Sequence, residues 1–174
     1  MLSENDKKAI EKGLLILWII WAAIMGSLFI YVFICHQFGH EIRGNMNQNV
    51  PILLLRNILS GIAILTLFLT HILKRFMLAG TSSGSLSKFF ISGSRPNQPA
   101  FLAKYTTALV VSLALSESIG IYGFVLFLLG EGFQTLYIFT GISALAIYFH
   151  RPKREELETL AIAMQTEEAP TAEI

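Results

Sequence analysis

Glu117 is the one charged residue between Tyr105 and Leu129, and it lies twelve positions from each end of that apolar run. A carboxyl at the middle of a membrane-spanning segment is costly and by default marks function. One that releases and regains a proton there is the group that proton translocation requires. Such a group also serves as a packing device, hydrogen-bonded to Ser60, Thr66 or a serine of its own helix. Ser112, Ser116 and Gly120 recur every four residues beside it, with Gly123 a turn further on. Small residues at that spacing admit a second helix at close range. Arg56, about five residues or 7–8 Å inside its own apolar run, either snorkels to the outer interface or acts as a counter-charge for Glu117. His36 and His40 share a helical face beside Glu41, but two histidines without a third placed ligand are a weak metal signal. His71 and His150 stand at the cytoplasmic ends of two runs with no haem-attachment pattern. No metal, cofactor or catalytic residue is expected, and the chain reads as a non-enzyme.

The elements that hold these residues follow from composition. Of 174 residues, 53% are apolar and 14% charged, against about 25% charged in an ordinary soluble domain. Residues 13–34 carry no charge, 51–73 carry only Arg56, 105–129 only Glu117, and 133–149 none. About 20 apolar residues in a helix cross the hydrocarbon core. The expected fold is therefore all-α, a four-helix transmembrane bundle with spans at about 13–34, 51–73, 105–129 and 133–149. The first run is too long for a signal-peptide core and lacks a small-x-small cleavage site, so it is read as a retained helix. Residues 153–165 put Leu157, Leu160, Ala161 and Met164 on one stripe, which predicts a short amphipathic helix. Trp18, Trp21, Tyr105 and Tyr148 suit core packing or the aromatic belt.

Orientation is set by Lys and Arg. Eleven of the thirteen fall in residues 1–12, 74–104 and 151–174, and positive loops stay cytoplasmic. Both termini and the loop 74–104 are thus expected inside, in the plasma (inner) membrane if the source is bacterial. That loop is long; Gly80–Ser85 reads as flexible, and Leu86, Phe89, Phe90 and Ile91 either rest on the interface or form a surface loop. A net charge of +1 points away from nucleic acid, and the single cysteine, Cys35, excludes an internal disulfide.

The decapeptide Ala114-Leu115-Ser116-Glu117-Ser118-Ile119-Gly120-Ile121-Tyr122-Gly123, followed by the aliphatic run 124–129, resembles the carboxylate-bearing helix of the rotor-ring proteolipid, subunit c, of F-type and V-type ATP synthases. Arg95, Gln98 and Pro99 are similar to that family's polar loop motif, with Pro99 eighteen residues upstream of Glu117. The resemblance covers residues 95–129. It implies that Glu117 is the ion-binding carboxylate, with Ser116, Gly120 and Tyr122 as near neighbours, on a helical hairpin of the same sense as the rotor proteolipid's.

Two functional expectations remain. In one, the chain is a small subunit that translocates or senses an ion, proton or sodium, through Glu117. In the other it is a non-catalytic scaffold or accessory subunit that docks partner helices on the Ser/Gly face of the third span. Either way its surroundings are the lipid bilayer and other membrane helices in a homo- or hetero-oligomer.

Overall fold

The computed structural model describes residues 4–43, 51–79 and 99–168. Among them there are five helices and no strand: α1 (Glu4–Arg43), α2 (Ile52–Ala79), α3 (Ala100–Leu128), α4 (Phe133–Phe149) and α5 (Arg154–Glu168). Three of them, α1, α2 and α3, are long and apolar enough to cross a membrane, and α4 is apolar over 17 residues. These helices mark the chain as a membrane protein. Each satisfies its own backbone hydrogen bonds, which is the condition for lying in hydrocarbon.

Helix boundaries follow local chemistry. α1 opens with Glu4 and Asp6 in its first turn, where negative charge meets the positive end of the helix dipole. Its 40 residues extend about 60 Å, so its polar ends project well past an apolar middle. Pro99 precedes α3, and its carbonyl accepts the Leu102 and Ala103 amides at 3.0 and 3.1 Å. A proline lacks an amide proton and suits this flanking place. Between α3 and α4 the chain reverses within four residues, with Gly130 at φ 104°, a left-handed conformation that favours glycine. Arg95, Gln98 and the segment 80–98, where the loop motif and the interface-resting residues fall, lie outside the described residues.

α3 is the hub, packed against every other helix. Tyr105, Leu109 and Leu113 of α3 meet Leu17 and Leu28 of α1 and Ile147 of α4. Ala63 of α2 meets Ile119 and Leu126 of α3. α1, α2 and α4 turn large apolar side chains outward, among them Phe29 (72% exposed), Leu65 (68%) and Phe149 (66%). Exposed apolar surface on this scale is what a lipid environment accommodates and water does not.

The amphipathic segment forms as expected. Leu157, Leu160 and Ala161 of α5 are buried in the cluster that holds Ile10, Phe101 and Leu102, with Met164 packed against it.

Candidate functional site

The site is built where α1 crosses α3. Gly120 has no side chain to hold α1 away: a Cβ there would come within 2.5 Å of Leu28 Cδ2. One turn from Gly120 the helices are close enough for side chains to meet. Ser27 Oγ lies 2.5 Å from Glu117 Oε1, and Tyr31 donates to the same oxygen at 3.0 Å. Ser27 and Tyr31 are four apart and so share one face of α1. Ser27 Oγ also lies 2.7 Å from the Ile24 carbonyl. The Tyr31 ring packs on Phe124 with centroids 5.4 Å apart, which fixes its hydroxyl. Among the described residues no cation lies within ion-pair distance of Glu117.

Glu117 is half-buried, at the edge of a stripe of α3 that none of the described helices covers. Ala114, Ile121 and Val125 on that stripe are exposed. The carboxyl therefore has protein hydroxyls on one side and the exposed stripe of α3 on the other.

Of the neighbours implied by the resemblance, Gly120 lets α1 approach, while Ser116 and Tyr122 meet other partners. Ser116 Oγ donates to the Ser112 carbonyl at 2.8 Å, and the Ser116 carbonyl accepts Ser143 Oγ of α4 at 2.7 Å. Tyr122 packs with Ala63, Ile119 and Phe139, on the side of α3 that meets α2. Gly120 faces Leu28 and Ser143, and Gly123 faces Phe139. Ser112 returns its hydroxyl to Ala108. The Ser/Gly face is thus filled by α1 and α4 of the same chain. Thr66 donates to the Ile62 carbonyl of its own helix.

Arg56 is brought to Glu131, at 3.4 Å, and not to Glu117. Glu131 holds the entry to α4, accepting from Thr135 Oγ1 at 3.1 Å and the Gly132 amide at 3.3 Å. His36 shares a hydrogen bond with Tyr137 and stacks on Phe133 with centroids 4.8 Å apart. His150 donates from Nδ1 to the Ala146 carbonyl at 2.8 Å. No three His, Cys, Asp or Glu side chains converge as a metal site among the described residues.

A second polar cluster ties α5 to the bundle. Lys74 of α2 meets Glu156 at 2.9 Å, and Lys153 meets the same carboxyl at 3.3 Å. The buried Tyr105 hydroxyl accepts the Lys153 amide at 2.9 Å and faces the Lys153 carbonyl at 3.2 Å. Burial works against the charge on Glu156, but the hydrogen bonds and charges of Lys74 and Lys153 outweigh it and hold its carboxyl below the ordinary range.

Comparison with models of known protein families, with curated proteins and with solved structures gives no significant match. The functional reading therefore stands on the site itself. Sequence reasoning found Glu117 and missed Ser27 and Tyr31. They are the two hydroxyl-bearing residues in the charge-free run 13–34, and their i, i+4 spacing was the available signal.

Proposed function

We propose that this chain is a small membrane subunit that translocates or senses an ion, proton or sodium, and that the exchanging group is the Glu117 carboxyl. One observation carries the reading. The sole acid in the middle of the hub helix receives two hydroxyls from another helix, has no cationic partner among the described residues, and borders an uncovered stripe. A group with those surroundings is held in place while its charge remains free to change. A purely structural acid in hydrocarbon is more economically satisfied by a fixed cation or replaced by an amide.

The resemblance of residues 95–129 to a rotor proteolipid supports the same assignment. In this reading α4 is a fourth crossing, both termini are cytoplasmic, and the uncovered stripe of α3 meets another helix of a larger assembly. The scaffold reading loses its docking face, because Ser116, Gly120 and Gly123 are already packed against Leu28, Phe139 and Ser143.

The test is ion flux in vesicles containing the purified chain, alone and with its co-purifying partners. Wild type dissipates an imposed proton or sodium gradient, Glu117→Gln does not, and Glu117→Asp retains part of the rate. Equal flux in wild type and a folded Glu117→Gln variant, with unchanged growth under ion stress, rejects the reading.

A further inference from the structure

We infer that the ion held at this site is a proton, and that α1, through Ser27 and Tyr31, is the half of the site that selects it; this rests on reading Glu117 as the exchanging carboxyl. The site holds fewer hydroxyl hydrogens than close oxygen contacts. Three close oxygen contacts meet at the site: Ser27 Oγ to the Ile24 carbonyl at 2.7 Å, Ser27 Oγ to Glu117 Oε1 at 2.5 Å, and Tyr31 Oη to Oε1 at 3.0 Å. A serine and a tyrosine hydroxyl carry one hydrogen each. Tyr31 uses its hydrogen on Oε1. Ser27 can serve Ile24 or Glu117 but not both. A hydrogen on Glu117 completes the set: the carboxyl donates to Ser27 Oγ, and Ser27 donates to the Ile24 carbonyl.

Without that third hydrogen, two lone-pair oxygens face each other at one of the two Ser27 contacts. Release then breaks the Glu117 O–H bond and passes the proton to water or a partner's base on the uncovered side of α3. The Ser27 hydrogen turns from Ile24 to the new carboxylate. Sodium fits less well. A hard cation of its size sits about 2.3–2.6 Å from each oxygen ligand, and bridging Ser27 Oγ and Oε1 would push them wider than 2.5 Å. A hydrogen spans that distance.

The helices around Glu117 supply no compensating charge. α1 carries none from Gly13 to Cys35, α2 none from Asn57 to Thr70, and α4 none. The titratable side chains in these stretches are Tyr31, Cys35, Tyr137 and Tyr148, and α3 itself adds Tyr122 near Glu117. Tyr31 alone bonds Glu117; Cys35 packs with Phe127, and Tyr122 with the α2 cluster. With no cation within ion-pair distance among the described residues, the proton is what neutralises the carboxyl in hydrocarbon.

Difference infrared spectroscopy of the intact chain in lipid vesicles tests this. The expected result is a carboxylic-acid carbonyl stretch at neutral pH, lost in Glu117→Gln, moved in Ser27→Ala and unaltered when sodium replaces choline. Glu117→Asp assigns the band by its shift where the Gln variant does not fold, and Tyr31→Phe does the same service for Ser27→Ala. Absence of the acid band at neutral pH, or its conversion to carboxylate on adding sodium, overturns the inference. The two proposals fail separately. An acid band without ion flux keeps the proton and removes transport, whereas sodium-coupled flux through Glu117 without the band does the reverse.

Discussion

Ser27 Oγ and Glu117 Oε1 lie 2.5 Å apart although ninety positions separate them in the chain. That contact makes α1 a working part of the site, whereas the sequence resemblance concerns only α3 and the loop before it. Removing either hydroxyl isolates its effect. Ser27→Ala and Tyr31→Phe are each expected to lower stability by about 1 kcal/mol, the net worth of one intramolecular hydrogen bond. Thermal unfolding in mild detergent reads this, and the double variant falls short of the sum because both bonds end on one oxygen.

Close approach of the helices is the second point of leverage. A Cβ at Gly123 would lie 2.5 Å from Phe139 Cβ and 3.4 Å from the Leu136 carbonyl, whereas one at Gly120 meets the far end of Leu28. Leu28 can yield by changing rotamer, but the Phe139 Cβ is fixed to its backbone. Gly123→Ala is expected to cost about 1–3 kcal/mol and Gly120→Ala less. Gly61→Ala is the control, with nothing within 4 Å, and its midpoint stays at or above wild type.

The Arg56–Glu131 pair contributes little as a charge pair. Arg56 is 41% exposed, and partly exposed pairs are worth about 0–1 kcal/mol. Glu131 does more, since it also accepts from the Gly132 amide and the Thr135 hydroxyl at the entry to α4. Unfolding midpoints should therefore fall further for Glu131→Ala than for Arg56→Ala. Ion flux should survive Arg56→Gln.

Acid should detach α5. The folded carboxyl of Glu156 sits below its ordinary value of 4.5, because Lys74 and Lys153 outweigh burial. Its stabilisation is complete above that value and is lost as pH falls through the lower folded one. His150 adds in the same direction. Burial, opposed by its bond to Ala146, holds its imidazole below 6.5. The folded chain thus favours the neutral ring, and that contribution fades as pH falls through the depressed value. Amide hydrogen exchange across Arg154–Glu168 should quicken on acidification while exchange in α3 does not. Lys74→Met should raise α5 exchange at neutral pH.

The helices were legible in the sequence because charge-free runs of spanning length have few alternatives. α5 was legible from the spacing of Leu157, Leu160, Ala161 and Met164, which the core buries as that spacing requires. Glu117 stood out because an acid in hydrocarbon is conspicuous. Its partners did not. A serine or tyrosine in a spanning helix satisfies itself on its own backbone, as Ser112, Ser116 and Thr66 do here. Which hydroxyl instead crosses to another helix depends on the angle between α1 and α3, and no local pattern encodes that angle. Gly120 and Gly123 lie close against Leu28 and Phe139, and sequence spacing does not reveal whose helix packs there. Arg56 reads in the sequence either as snorkelling to the outer interface or as a counter-charge for Glu117, and neither reading points to Glu131, which it meets.

The most direct test is modification of Glu117 by a hydrophobic carbodiimide in intact vesicles, located by mass spectrometry of the labelled peptide. The reagent enters from the bilayer, takes the proton of a protonated carboxyl on nitrogen and is attacked at carbon by the carboxylate oxygen. A proton-carrying Glu117 beside the uncovered stripe of Ala114, Ile121 and Val125 should label selectively, with ion flux lost in step and both effects absent in Glu117→Gln. Labelling spread over Glu131, Glu156 and the other acids while Glu117 stays unmodified, or full labelling of Glu117 with flux unchanged, would contradict the account.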